Sequence, residues 1–250
     1  PPPLPHSGNT IAYHCRRSVA TLLLLQSICG SDAIELPCET DGTTVLYYLR
    51  RSCESLAMLH EAGAKVDGKV DGAGNTLAYY AVMRVLHAAD DAKREMAART
   101  IRTLQFDLQL SFSAPCEPEG NSPLYFAATN EPLLEVLAST GVDLNSACDS
   151  QGATVTYYAR DNEQMLRRLH EMGANLSLPC DQVGNTLEYY ADFDPDLEYL
   201  LEQLEIEFPD LPPVDETPPD ADSDAGAGPD ADADVVAVAV ADAEEGGEVV

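Results

Sequence analysis

A seven-residue phrase recurs six times along the chain: GNTIAYH from Gly8, GTTVLYY from Gly42, GNTLAYY from Gly74, GNSPLYF from Gly120, GATVTYY from Gly152 and GNTLEYY from Gly184. The glycines are separated by 34, 32, 46, 32 and 32 residues, so the copies form an array with one insertion, in the third unit. A second glycine follows the first by 21 residues in three copies, at GAKVD (Gly63), GVDLN (Gly141) and GANLS (Gly173). Ten of the eleven tyrosines lie inside the phrase. Self-similarity at such a period means a stack of small supersecondary units, each burying its apolar face against its neighbours.

Each unit reads as helix, turn, helix, hairpin-like loop. The repeat glycine suits a left-handed turn, and the Thr or Ser two residues later is placed to cap a helix that follows. In the fourth unit Pro123 follows Ser122, at the first helical position, where proline's missing N–H is not needed. In the fifth, a short helix from about Val155 to Arg160 ends at Asp161 and Asn162, and Met165, Leu166 and Leu169 then recur at helical spacing until Gly173. In the third unit the second helix is expected to be longer, capped by Asp90, with Asp90–Arg94 and Glu95–Arg99 spaced four apart along it.

These copies resemble the ankyrin repeat, whose units carry G-x-T-P-L-H-x-A, two helices and a G-A-D-V-N loop at a period near 33. The resemblance spans residues 8–209 and implies an all-α, ankyrin-type helix-turn-helix solenoid of six units. Only Pro123 keeps the family's proline, and Tyr13, Tyr47, Tyr79, Tyr125, Tyr157 and Tyr189 stand in the place of its histidine. The resemblance implies that these hydroxyls take over that histidine's role of joining backbone across units. The second aromatics, Tyr48, Tyr80, Phe126, Tyr158 and Tyr190, read as core between units, and a binding strip of tyrosines is the less favoured alternative.

Composition narrows function. Against 14 Lys and Arg stand 43 Asp and Glu, a net charge of -29, which opposes nucleic acid as a partner. Apolar runs such as TLLLL near Leu22 are too short to span a bilayer. From Asp210 to Val250 there are 13 acids and no base among Pro, Ala and Gly, which predicts a disordered acidic tail in which only Val235–Ala241 alternates as a strand could. Residues 1–7 form a Pro-rich remnant without an initiator Met, so a leader or a further domain, and secretion as an effector, stay open.

Cys38, Cys116, Cys148 and Cys180 each lie four residues before a repeat glycine. At a helix-packing spacing of about 8–10 Å, equivalent positions are too far apart for a disulfide or a shared metal, so they read as small buried residues. Seven cysteines without a C-x-x-C pair suit the cytoplasm or another reducing compartment. His60 and His170 share one repeat position and read as helix-end residues. No nucleophile, phosphate-loop or metalloprotease motif occurs, so neither an enzyme nor a cofactor is expected.

A non-catalytic module binding another protein is therefore expected, as a monomer; the resemblance implies recognition through a concave face and projecting loops. The alternative is a targeting or regulatory arm of an enzyme whose catalytic region lies elsewhere. Candidate contact residues around the repeat glycines are Thr40, Asp41 and Thr43 in the second unit and Pro118, Glu119 and Asn121 in the fourth. Ser150 and Gln151 in the fifth and Gln182, Val183 and Asn185 in the sixth complete the loop set, joined by Asp161 and Asn162 in the inter-helix turn. Lys93, Arg94, Arg99 and Arg102 in the insertion form the densest basic cluster, placed to affect partner choice or to hold the acidic tail.

Overall fold

The computed structural model describes residues 9–208. The chain divides by its internal contacts into Pro1–Pro209 and Asp210–Val250. The expected acidic tail and its Val/Ala alternation lie outside the described residues.

Among the described residues, thirteen helices follow one another as six pairs with one addition. The pairs are α1 (Ile11–Cys15) with α2 (Val19–Cys29), α4 (Val45–Leu49) with α5 (Cys53–Glu61), α6 (Leu77–Leu86) with α7 (Asp91–Phe106), α8 (Pro123–Ala127) with α9 (Glu131–Ser139), α10 (Val155–Ala159) with α11 (Glu163–Glu171), and α12 (Leu187–Ala191) with α13 (Pro195–Gln203). The addition, α3 (Asp32–Glu35), lies between the first and second units and ties them through the bond from Lys65 N–H to the Glu35 carboxylate. In the third unit both helices are lengthened, α6 to 10 residues and α7 to 16, where only the second was expected to be.

The five described repeat glycines have φ between 91° and 95°, and Gly63, Gly141 and Gly173, which end the second helices, are likewise left-handed. The caps fall differently from the sequence expectation. Of the Thr and Ser residues before the first helices, only Thr76 accepts from a helical N–H. Side-chain caps sit on all six second helices, where Ser18, Ser52, Asn130, Asn162, Asp194 and, as expected, Asp90 each accept from an early backbone N–H.

The Thr side chains face another task. The N–H groups of Thr10, Thr44, Thr76, Ser122 and Thr154 donate to the carbonyls of Cys38, Val70, Cys116, Cys148 and Cys180 in the following unit, at 2.8–3.0 Å. The hydroxyls of Thr44, Thr76 and Thr154 donate to the same carbonyls. This stitch, rather than a tyrosine hydroxyl, joins backbone between units. The cysteine positions then close their own hairpins, as when Cys180 N–H donates to the Asn185 carbonyl at 2.7 Å.

A single apolar cluster runs through the units, with Leu56 and Leu59 of α5, Ile101 and Leu104 of α7, Leu133 and Leu137 of α9 and Leu166 and Leu169 of α11 fully buried. Cys38, Cys116, Cys148 and Cys180 belong to it. Burial pushes the first three thiols up to about 12 and that of Cys180 to about 11, so they stay protonated and inert. All seven cysteines are free.

Candidate interaction surface

The repeated tyrosine pair builds one continuous feature. The first ring of each unit meets the second ring of its own unit edge to face, then the second ring of the next. The path runs from His14 through Tyr13, Tyr48, Tyr47, Tyr80, Tyr79, Phe126, Tyr125, Tyr158, Tyr157, Tyr190 and Tyr189 to Phe193, with ring centres 4.9–6.0 Å apart. This spacing suits T-shaped contacts between a ring's positive edge and its neighbour's negative face. The rings are half-buried against the core through most of their length, and Tyr189 and Phe193 are exposed at the far end. The ladder is thus both the inter-unit packing that was expected and a partly exposed surface.

Three arginines clamp the ladder from the inter-helix turns. The Arg16 guanidinium lies 3.7 Å from the Tyr13 ring centre and 5.0 Å from that of Tyr48. Arg50 spans Tyr47 and Tyr80 in the same way, and Arg160 spans Tyr157 and Tyr190. Each also donates to the carbonyl of its own tyrosine, at 2.8–3.0 Å. Such cation–π pairs are worth about 0.5–2 kcal/mol and fix the guanidinium in place.

The hairpins border the ladder. In the third, fifth and sixth units an aspartate three residues before the repeat glycine organises the loop. Asp181 accepts from the N–H groups of Val183 and Asn185, from the Asn185 side-chain amide, and from the Tyr190 hydroxyl at 2.5 Å. Asp149 accepts from Gln151, Ala153 and Tyr158, and Asp71 from Gly74, Asn75 and Tyr80. Burial pushes the Asp71 and Asp181 carboxyls up, but these hydrogen bonds outweigh it and hold both below the usual range. The Tyr80, Tyr158 and Tyr190 hydroxyls are pushed up in return, first by burial and then by the carboxylate each one meets.

No family model matches this sequence, and no curated protein sequence matches it. Among solved structures, the ankyrin repeat domain of Bcl-3, a member of the IkappaB protein family, is similar over 80% of this chain and 86% of its own, with a TM-score of 0.56 at 18% identity. The fold is that of an ankyrin repeat domain. The solved complex of a predatory endopeptidase from Bdellovibrio bacteriovorus with an immunity protein holds a chain of more distant likeness, with a TM-score of 0.45 at 17% identity over 77% of this chain and 96% of that one.

On this ankyrin fold the expected contact residues separate into two kinds. Thr40, Asp41, Pro118, Glu119, Ser150, Gln151, Gln182 and Val183 are exposed at hairpin tips, and Asp161 is exposed in its turn. Thr43 is buried, because its carbonyl closes the hairpin by accepting from the Cys38 and Glu39 N–H groups. Asn121 and Asn185 are half-buried with their carbonyls accepting from Cys116 and Cys180, and Asn162 is occupied as the cap of α11. In α7, Lys93 pairs with Asp90, Arg94 with Asp91, and Arg99 and Arg102 both with Glu95, so Asp90 partners Lys93 rather than Arg94. Among the described residues no group of three or more His, Cys, Asp or Glu is placed to hold a metal ion, and no helix is long and apolar enough to cross a membrane.

The aspartate–tyrosine pairs were missed from sequence. A signal for them was present, since Asp71–Tyr80, Asp149–Tyr158 and Asp181–Tyr190 share a nine-residue spacing, and the fourth unit changes both partners together, to Glu117 and Phe126.

Proposed function

We propose that this chain is a non-catalytic protein-binding module whose contact surface is the aromatic ladder together with the exposed hairpin tips beside it. The observation that carries this is the ladder's continuity. One strip of half-buried rings passes through all six units, and clamped arginines add donors at the first, second and fifth. Rigid aromatic surface with fixed guanidinium groups is the composition that dominates binding energy at protein interfaces, because little side-chain entropy is left to lose.

The hairpin residues Thr40, Asp41, Pro118, Glu119, Ser150, Gln151, Gln182 and Val183, with Asp161, form the polar rim of this reading. Helix α7 adds to partner choice through Lys93 and Arg99, whose side chains are 67% and 75% exposed. Exposed ion pairs of that kind contribute only about 0–1 kcal/mol, so a partner's acidic groups can displace Asp90 and Glu95.

The test is affinity capture from a lysate with the wild type and with a variant carrying Thr40→Ala, Asp41→Ala, Gln182→Ala and Val183→Ala. The variant is expected to lose specific partners at unchanged melting temperature. Equal capture by both proteins would refute the assignment of the rim, and capture insensitive to Arg16→Ala and Arg50→Ala as well would refute the surface.

A further inference from the structure

The two end units carry most of the exposed large apolar side chains. Of twelve among the described residues, Ile11, Leu24, Ile28 and Leu36 lie in or beside the first unit, and Val183, Tyr189, Phe193 and Tyr199 in the sixth. The interior junctions show which of these point along the stack. In the junction between the fourth and fifth units, Arg168 at the sixth position of α11 meets Glu131 and Glu135, at the first and fifth positions of α9. The corresponding sixth position of α2 is Leu24, 58% exposed, and the fifth position of α13 is Tyr199, 63% exposed. Among interior units the sixth position is covered at Val136 of α9 and Leu200 of α13 and exposed at Met58 of α5 and Met96 of α7, so the Arg168–Glu135 contact, rather than exposure alone, indicates which side chains meet across a junction.

The ladder has matching loose ends. Tyr157 meets the second ring of the next unit, Tyr190, and Arg160 lies over that ring. In the sixth unit these two positions are Tyr189 and Asp192, and no seventh unit meets them among the described residues. In the first unit the second-ring position is His14, exposed and likewise uncovered. The two substitutions are complementary: where arginine elsewhere faces a tyrosine, an aspartate at one end would face a histidine at the other. The surrounding charge agrees, since Asp181–Phe208 holds nine acids and no base, whereas residues 9–30 hold Arg16 and Arg17 and no acid.

We propose that copies of this chain associate head to tail, the sixth unit of one stacking on the first unit of the next as consecutive units do within the chain. Tyr199 then covers Leu24, Tyr189 continues the ladder onto His14, and Asp192 pairs with that imidazole. The net charge of -29 opposes such association, and the sequence led us to expect a monomer. The contact is nevertheless local, and a Debye length of about 8 Å at physiological ionic strength screens the rest of the chain. One repeat face is a small interface, so binding in the micromolar range is expected.

Sedimentation velocity of the full chain, with concentration raised through the micromolar range, should show a mass rising above 26.9 kDa. Leu24→Asp alone and Tyr199→Asp alone should each stay monomeric. A heterologous interface leaves each of these variants one good end, so an equimolar mixture should form dimers and stop there. In a second, independent pair, His14→Glu should weaken association about fivefold, or about 1 kcal/mol, and adding Asp192→Lys should restore it. A wild type fixed at 26.9 kDa overturns the proposal. So does a mixture that stays monomeric although both variants melt like the wild type, or Leu24→Asp protein that assembles by itself.

Discussion

The hairpins of the third, fifth and sixth units and that of the fourth solve one problem with different side chains. Asp181 reaches two loop N–H groups, an amide and a tyrosine hydroxyl from one position. Glu117, one methylene longer, accepts from a backbone N–H only at Asn121, at 3.3 Å, and the ring nine residues on is Phe126, which has no hydroxyl to give. Burial, and then the neighbouring Glu119, push the Glu117 carboxyl up to about 7. In the second unit Glu39 likewise keeps one carboxylate oxygen buried without a hydrogen bond, although a tyrosine, Tyr48, stands nine residues on, and burial followed by Asp41 raises its carboxyl. An aspartate bonded to the tyrosine hydroxyl is therefore a loop organiser, whereas a glutamate that makes no such bond, with or without a tyrosine at the partner position, is a half-buried acid whose charge is poorly compensated.

The largest expected effect tests how the hairpins stack. A Cβ on Gly72 would lie 1.6 Å from the Asp41 carbonyl oxygen of the preceding hairpin, whereas one on Gly68 meets nothing within 4 Å. Gly72→Ala should cost about 3 kcal/mol by overpacking, and Gly68→Ala less than about 0.5 kcal/mol. Thermal melts followed by circular dichroism decide; equal melting temperatures would mean that the hairpins move apart freely.

Next in size is removal of the organiser. Asp181→Ala deletes four hydrogen bonds and should cost about 2–3 kcal/mol, while Glu117→Ala at pH 8 should cost little or stabilise. Equal losses in urea titrations at pH 8 would erase the distinction between the two hairpin types.

A graft sharpens the comparison. Glu117→Asp with Phe126→Tyr rebuilds the pair in the fourth unit and should gain about 1 kcal/mol, in excess of the sum of the single changes. A double-mutant cycle with no coupling would show that the aspartate–tyrosine bond contributes nothing of its own.

The smallest effect is in pH. Glu117 titrates near 7 in the folded protein and near 4.5 when unfolded, so the unfolded state loses its proton first and stability falls as pH rises from 4.5 to 7. Glu117→Gln should remove that loss, gaining about 1 kcal/mol at pH 8 after discounting for solvent screening and almost nothing at pH 4. Asp71 and Asp181 have the opposite sign: their folded values are depressed, so their stabilisation is complete above the unfolded value and lost as pH falls through the folded one. Asp181→Asn should accordingly flatten the acid limb of the stability profile, and an unchanged limb would contradict the assignment.

Much of the architecture was legible because it depends on local chemistry repeated at a fixed interval. Glycine at a left-handed turn, and the end of the second helix in the second, fourth and fifth units, follow from single residues, whereas Gln109 and Glu205 take the left-handed position after the second helices of the third and sixth. The cysteine ladder was readable as buried because unit spacing alone forbids pairing. The N-caps were misplaced because Thr44 and Thr154 have two acceptable uses for a hydroxyl, and only the presence of the next unit's carbonyl selects between them.

The sequence by itself therefore determined the number of units, their helix-turn-helix-hairpin order, the free thiols and the acidic excess, since each rests on residue type and period. Tertiary structure decided which tyrosine hydroxyl meets which carboxylate, that the rings join into one ladder, that Thr43 is buried while Thr40 is not, and which side chains the two ends of the stack leave uncovered. Those outcomes depend on distances between units, which a linear pattern does not encode. Leucine at the same repeat position is core in the sixth unit, as Leu200, and surface in the first, as Leu24, because burial is set by what packs beside it and not by residue type.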